Sequence, residues 1–314
     1  MLNLPILDVS YNLQKHLVLE AIKTSFDESI ESIERWTAVK ITKEQAKRII
    51  IESARDFNKF YDEKVAREKN RAPAPPLLIR TDDGKGVVKR SSDLREATRK
   101  KAAVKKTNNY SRHFLKKNKS NSKRMATVAS VYEIAQFIRT PEDLIEEFFS
   151  TKNSKQKIKR PRPTASLRWA SLEKSNEEVI KEIFEEAVGR DPSNQKEWVV
   201  LVDGDHHQIK TFQKLSKKFK VELTIIGDII HVLEYLWCAF QVLNNEKNLK
   251  WWVSNQLNQI LNGKSSFVAS GIRRSATCRQ LSDKAREPID SCAQYLLNHS
   301  KYLNYKEYLE KGYP

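Results

Sequence analysis

The sequence predicts an α/β protein with a mixed sheet flanked by helices, a helical region before the sheet and a helical segment after it. Three observations lead to this prediction. Apolar residues in positions 1–68 and 228–314 recur every three or four residues, as in amphipathic helices. The middle of the chain instead carries short apolar runs bounded by glycine, proline or aspartate. Two of these runs, Trp198–Val202 and Val221–Ile226, flank a predicted helix, a spacing typical of parallel strands in one sheet.

The composition points to a polyanionic partner. The 314 residues include 57 lysines and arginines against 40 acids, a formal net charge of +17. Such an excess favours nucleic acid, with an anionic membrane surface as the competing partner. No apolar run approaches the length of a membrane span and no signal peptide follows Met1, so we expect a soluble, cytoplasmic protein. The three cysteines fit no paired metal spacing, and no phosphate-binding glycine loop is present, which argues against ATP-driven chemistry.

The first region, residues 1–70, is predicted to be helical. Ser25 followed by Glu28, and Thr42 followed by Gln45, have the spacing of helix-capping boxes. Two short helices with the break at 37–41 between them suit a helix-turn-helix DNA-binding unit. A plain helical hairpin would give the same pattern, so both interpretations stay open. Trp36 is expected on the buried face.

The second region, residues 71–247, is predicted to be the catalytic core. Leu77–Arg90 is interpreted as a strand, an acidic turn, a glycine pair and a second strand, and Arg124–Ile134 as a third strand. A helix from Pro141 to Phe149 and a basic, proline-containing linker at 151–168 follow. The chain then alternates helix, strand, helix, strand, helix. Residues 248–314 are expected to be a helical insertion broken by loops near Asn262 and Pro288.

Basic residues cluster in ways that suit a phosphate backbone. No acid occurs from Arg99 to Arg124, so this stretch is either a solvated basic loop or a segment that follows DNA phosphates. The candidate DNA-binding residues are Lys85, Lys100, Lys101, Lys105, Lys106, Arg112, Lys116, Lys117, Arg124, Arg160, Arg162, Arg273 and Arg274.

The predicted element order, three strands followed by helix, strand, helix, strand and helix, is that of the ribonuclease H fold. In that order the first and fourth strands are neighbours, and each is followed by acids, Asp82 and Asp83 in one case and Asp203 and Asp205 in the other. Two carboxylates at one sheet edge suit a hard cation such as Mg²⁺ (or Mn²⁺), which can position a phosphate for in-line displacement. Asp83 and Asp203 are the predicted catalytic, metal-binding pair. Asp82 and Asp205 are interpreted as supporting groups or as ordinary turn residues, because Asp-Gly turns are common.

A further polar pair follows the last predicted strand. Asp228 and His231 are three residues apart and therefore share a helix face. Asp228 is a plausible helix cap as well as a catalytic candidate. His231 is interpreted either as a phosphate-binding residue or as a surface residue.

Several motifs together resemble the ISKra family of insertion-sequence transposases. They are DGKGVV, KRMATVASVYEI, RWASLEKS, VVLVDGDHHQ, ELTIIGDIIHVLEYLW and GIRRSATCRQLS, and the resemblance runs from about Val18 to Pro314. It implies a ribonuclease H-like DDE transposase that uses Mg²⁺ to cut double-stranded DNA at terminal inverted repeats and to join it to target DNA. By position, Asp83 and Asp203 would be the first two acids, and Asp228 with His231 the shared D-x-x-H motif. The resemblance also implies a homodimer and a nucleoid-associated location in a bacterial cytoplasm.

The resemblance breaks at the end of the chain. Family members continue into a segment whose glutamate completes the catalytic triad, and that glutamate is not found before Pro314. We therefore expect a truncated reading frame with little strand transfer of its own, and the alternative function is an inactive DNA-binding remnant that competes for element ends. A haloacid dehalogenase-type phosphatase is a third hypothesis, weakened because His207 stands where that motif needs threonine or valine.

Overall fold

The computed structural model describes residues 9–57, 59–60, 62–63, 75–88, 96, 100, 123–149, 160–243 and 249–314. They belong to two compact units, Met1–Arg71 and Ala72–Pro314. Within these described ranges, no helix combines the length and the apolar character needed to cross a bilayer.

In the described part of the first unit, the helices of residues 11–53 surround a small apolar core. Both predicted capping boxes are confirmed: Ser25 accepts from the Glu28 backbone N–H, and Thr42 from that of Gln45. These bonds satisfy N–H groups that a helix start leaves unpaired. The helices are α1 (Tyr11–Lys23), α2 (Phe26–Thr37) and α3 (Lys43–Ser53). Their core consists of Leu17, Ile33, Ile41, Ala46 and Ile49.

The expectation that Trp36 lies on a buried face is wrong, and Ile22, another apolar residue of these helices, is exposed as well. Trp36 is 82% exposed and Ile22 is 76% exposed. Both residues lie at helical spacing from buried neighbours, but three short helices enclose a core that only their innermost positions reach.

The second unit contains the sheet and the remaining helices. In chain order its elements are β1 (Leu77–Val88), β2 (Lys123–Ile134), α4 (Pro141–Phe149), β3 (Thr164–Ser171), α5 (Asn176–Arg190), β4 (Glu197–Val202), α6 (His206–Phe219), β5 (Leu223–Gly227), α7 (Ile229–Leu243), α8 (Leu249–Leu261), α9 (Ser265–Cys278), α10 (Asp283–Asn298), a 3₁₀ turn (Ser300–Tyr302) and α11 (Tyr305–Glu310).

The five strands form one mixed sheet in the order β3-β2-β1-β4-β5. β1 is antiparallel to β2 along its whole length and parallel to β4, with Leu77 opposite Glu197 and Thr81 opposite Leu201. β2 is antiparallel to β3, and β4 is parallel to β5. The predicted adjacency of the 77–81 and 198–202 runs is therefore confirmed.

Two strand predictions are wrong. Residues 77–88 form one continuous strand, because every residue from Leu77 to Val88 has a partner in β2 and the acidic stretch does not turn. The sheet's remaining strand is β3, which starts at Thr164, inside the stretch predicted to be a linker at 151–168. The prolines there stop before the paired residues begin, so they do not remove ladder hydrogen bonds.

Apolar residues cover both faces of the sheet. One face, with Leu77, Ile79 and Val199, packs against α7–α10 and α11. The other, with Leu78 and Val200, packs against α5 and α6. The C-terminal helices thus share a core with the sheet. Pro288, predicted in a loop, lies inside α10, where burial of the residues after it, such as Ile289 and Cys292, offsets the missing N–H.

A buried cation lies in the core beneath α5. Arg80 is completely buried, and its guanidinium stacks 3.9 Å from the Trp198 ring centroid and 5.1 Å from that of Phe184. None of its three side-chain nitrogens has a hydrogen-bond partner among the described residues. Burial lowers the pKa of Arg80 well below its ordinary value, and the negative charge of Asp191 opposes that shift.

The free edge of β5 is covered by tyrosines from the end of the chain. The Tyr305 hydroxyl donates to the Gly227 carbonyl at 2.8 Å, and that of Tyr308 to the Ile225 carbonyl at 3.5 Å. An uncovered edge strand can pair with another chain, so these contacts protect this side of the sheet.

Candidate active site

The two predicted catalytic acids occupy equivalent positions on neighbouring strands. The pairing between β1 and β4 ends with Thr81 opposite Leu201, and Asp83 and Asp203 each come two residues later. Parallel neighbours lie about 4.8 Å apart. Asp83 is exposed and Asp203 is half-buried. By the two-residue alternation of a strand, Asp83 shares a face with Leu77 and Ile79, the side covered by the C-terminal helices.

A tight turn fixes Asp203 at the end of β4. The backbone N–H of Asp205 donates to Oδ1 of Asp203 at 2.9 Å. Asp205 in turn caps α6, accepting from the backbone N–H groups of His207 at 2.7 Å and Gln208 at 3.0 Å. Asp205 therefore acts as a helix cap, a role that the interpretation of it as a supporting group or a turn residue did not include. The Asp205 N–H occupies only Oδ1 of Asp203, so the other carboxylate oxygen is left for another ligand.

Asp82 lies on the opposite face of β1 from Asp83 and is 3% exposed. Its Oδ2 accepts from the Asn176 side-chain amide at 3.2 Å, and Gln208 donates to its backbone carbonyl at 3.2 Å. Burial raises the pKa of Asp82 from 3.8 to about 6, and repulsion from Asp203 and Asp83 adds to the rise. The interpretation of Asp82 as a supporting group or a turn residue did not indicate this burial, and no sequence pattern signalled it.

Asp228 begins the helix that follows β5. Its side chain accepts from the backbone N–H of Ile230 at 2.8 Å, so the residue caps α7. Its own N–H donates to the Val202 carbonyl at 2.8 Å, beside the Asp203 turn. His231, one turn further along, pairs with Glu234 through Nδ1 at 3.1 Å.

Helix α10 contacts the Asp203 turn, although sequence reasoning did not identify any of its residues. The Tyr295 hydroxyl donates to the Asp203 carbonyl at 3.0 Å. The His299 ring contacts the Gly204 carbonyl through Nε2 at 2.8 Å. Burial raises the pKa of Tyr295 above its ordinary range, and the charges of Asp203 and Asp228 add to the rise, so the phenol remains a donor.

A cavity of about 650 Å³ opens beside this turn. Its lining includes Tyr295 and His299, which contact the Asp203 turn, and the ion pair of Arg273 with Asp290 at 3.5 Å. Residues of α7, α9 and α10 contribute to this lining.

Asp83 and Asp203 suit a hard cation that takes few of its ligands from the protein. Among the residues that the structure describes, no three or more histidine, cysteine, aspartate or glutamate side chains come together as a metal-binding group. Mg²⁺ keeps several waters and is often bound by one or two carboxylates with substrate phosphates. The oxygen donors of Asp83 and Asp203 match that chemistry.

The predicted DNA-binding residues are distributed unevenly over the described part of the chain. Lys85 is exposed on β1 beyond Asp83, and Arg162 and Arg274 are exposed elsewhere. Others are paired: Lys100 with Glu96, Arg160 with Glu147, and Arg273 with Asp290. Arg124 lies opposite Val87 in the β1–β2 ladder. Lys101, Lys105, Lys106, Arg112, Lys116 and Lys117 lie outside the described residues.

The comparison with known proteins leaves the chain without an assigned family. No protein-family model matches the sequence, and no curated protein matches it either.

Proposed function

We propose that this chain is a DNA-binding phosphoryl-transfer protein of the DDE transposase type with a ribonuclease H-like core. The observation that carries the proposal is the placement of Asp83 and Asp203, each two residues beyond the last β1–β4 pair, on two parallel, adjacent strands of a β3-β2-β1-β4-β5 sheet. The net charge of +17 and the resemblance to ISKra transposases support the same function. The implied substrate is double-stranded DNA at the ends of a mobile element, and the implied location is the bacterial nucleoid.

In this proposal, Asp83 and Asp203 hold Mg²⁺ or Mn²⁺. The chemistry that two such ions would supply is activation of the attacking water or 3′-hydroxyl by one and stabilisation of the leaving oxygen by the other. The Asp205 backbone N–H fixes the orientation of the Asp203 carboxylate. Lys85 follows Asp83 by two residues on the same strand face, where its ammonium group neutralises a neighbouring phosphate. His231, on the helix that Asp228 caps, contributes a second contact to the DNA strand.

Nicking of supercoiled plasmid DNA tests the chemistry. We expect relaxed circles to form only when Mg²⁺ or Mn²⁺ is present, and formation to fall by about 10²-fold or more in Asp83→Asn and Asp203→Asn, because each removes a charged ligand. Asp205→Asn is the matched control, since asparagine also caps helices. Nicking that survives both ligand substitutions would show that the site is misassigned.

Binding without chemistry is the alternative outcome. A DNA-binding remnant would hold plasmid or linear duplex in all three variants, with affinity dropping by about 10³-fold or more between low and moderate salt. Absence of both nicking and salt-dependent binding would refute a DNA function altogether.

A further inference from the structure

The turn that carries Asp203 is attached to a helix that the chain reaches about ninety residues later. The Tyr295 hydroxyl and the His299 ring each contact a carbonyl of this turn, those of Asp203 and Gly204, at 3.0 and 2.8 Å. Adjacent peptide units are thus held from one helix face, since Tyr295 and His299 are separated by one helical turn. Two contacts on neighbouring peptides restrict rotation of the turn more than either contact would alone.

We call Tyr295 and His299, which hold the turn from α10, the clamp. Both side chains are tightly packed. Tyr295 stacks between Tyr235, with ring centroids 4.4 Å apart, and His299, at 4.5 Å. His206, the residue directly after the turn, stacks on the other side of His299 at 5.2 Å. This row of four rings links α7, α10 and the start of α6. Tyr295 and His299 are 7% and 6% exposed, so both rings are largely enclosed by their neighbours.

The His299 ring is tied at both nitrogens. Nδ1 lies 2.8 Å from the Tyr295 carbonyl, and Nε2 lies 2.8 Å from the Gly204 carbonyl. Carbonyl oxygens only accept, so a neutral imidazole donates to one of them at a time and an imidazolium to both.

Gly204 is the residue that allows this approach. Its φ is +104°, and a Cβ at this position would come within 2.8 Å of Tyr295 Cε2 and 3.1 Å of His299 Nε2. Only glycine combines that conformation with a ring packed against its α-carbon. Gly204 in the Asp-Gly-Asp sequence after β4 therefore lets the turn pack closely against the Tyr295 and His299 rings.

We infer that Tyr295 and His299 are positioning residues that fix the Asp203 carboxylate for cation binding, so that α10 is a working part of the active site. The inference rests on the proposed function only for what Asp203 binds. Loss of the Tyr295 hydroxyl frees the Asp203 peptide to rotate, and the Asp205 N–H then no longer holds Oδ1 in one place. Groups that orient metal ligands typically alter metal affinity or activity by about 10–100-fold when they are removed.

Tyr295→Phe is the test variant, because it deletes one hydroxyl and keeps the stacked ring. Tyr235→Phe is the matched control, since it removes a hydroxyl from the neighbouring ring of the same row. Mn²⁺ affinity of the protein alone, measured by titration with electron paramagnetic resonance, is expected to fall about 10–100-fold in Tyr295→Phe and to stay unchanged in Tyr235→Phe. The nicking rate should fall in parallel, while the melting temperatures of the two variants remain similar.

Amide hydrogen exchange provides a readout that needs neither metal nor DNA. Exchange of the Asp205 N–H, which is bonded to Asp203 Oδ1, should become about fivefold faster in Tyr295→Phe and in His299→Gln than in the wild type. If the wild-type protein neither binds Mn²⁺ nor nicks DNA, the proposed function is wrong and this exchange still decides the clamp. Unchanged Asp205 exchange in both variants, or a metal affinity that Tyr295→Phe leaves intact, would overturn the inference.

Discussion

Replacing Asp82 by asparagine should stabilise the protein at neutral pH and much less in acid. Folding raises the pKa of this carboxyl from 3.8 to about 6, with burial as the main cause. The folded state therefore binds the proton more tightly than the unfolded chain, so the charged form costs stability above the folded pKa. That cost is full above about pH 6, declines as the pH falls, and disappears below the unfolded pKa.

The magnitude follows from the size of the shift. Each pKa unit corresponds to about 1.4 kcal/mol, so the cost is about 3 kcal/mol at pH 7.5 and roughly 1 kcal/mol at pH 4.5. Asparagine carries no charge at either pH, and its side-chain oxygen can still accept from the amide of Asn176. Asp82→Asn should therefore raise the free energy of unfolding by nearly ~3 kcal/mol at the higher pH and by only about 1 kcal/mol at the lower pH.

Urea unfolding with a chelator present, at about pH 7.5 and about pH 4.5, measures both values without interference from divalent cations. Asp83→Asn is the control, because the exposed neighbour should change stability by no more than about 0.5 kcal/mol. A stabilisation by Asp82→Asn that is equal at the two pH values, or a loss of stability at neutral pH, would refute the reasoning.

Three further substitutions test other parts of the structure by urea unfolding. Arg80→Met should be neutral or should stabilise the protein by about 1–4 kcal/mol, because it replaces a buried cation that has no hydrogen-bond partners among the described residues by an apolar side chain of similar length. A clear loss of stability would show that the stacking of Arg80 on Trp198 dominates. Gly204→Ala should destabilise the protein by about 1–3 kcal/mol, because alanine is strained at this φ and its Cβ would meet the Tyr295 ring. An unchanged urea midpoint would contradict the close packing of Tyr295 against Gly204. Ser25→Ala should cost about 0.5–2 kcal/mol, detectable as a lower midpoint for the helical unit, whereas Ser25→Asp should preserve the cap.

Local patterns predicted the elements that depend on local interactions. The capping boxes at Ser25 and Thr42 were visible because a cap is a contact between residues three apart. The apolar run before Asp203 predicted β4, and its parallel pairing with β5 followed from the spacing of strand, helix and strand. Both predictions rest on short-range rules that tertiary packing did not override.

The errors arose where a distant partner decides the conformation. Asp82-Asp83-Gly84 has turn composition, yet β2 pairs with each of these residues and keeps them extended. β3 follows a proline-containing basic stretch, and its strand state depends on pairing with β2. The contact of Tyr295 with Asp203 joins residues 92 apart, and no spacing rule predicts such a pair.

The two adjacent acids of β1 show why a sequence can locate a site without revealing the role of each residue in it. Neighbouring residues of a strand point to opposite faces, so Asp82 and Asp83 cannot have the same role. One faces the buried amides of α5 and α6, where its charge is costly, and the other stays exposed next to the Asp203 position. Burial is the main cause of the raised pKa of Asp82, and the charges of Asp203 and Asp83 add to it. If Asp83 and Asp203 bind a cation as proposed, its charge would lower that pKa again, so metal binding would favour proton release from the buried carboxyl although only one of the two adjacent acids would touch the ion.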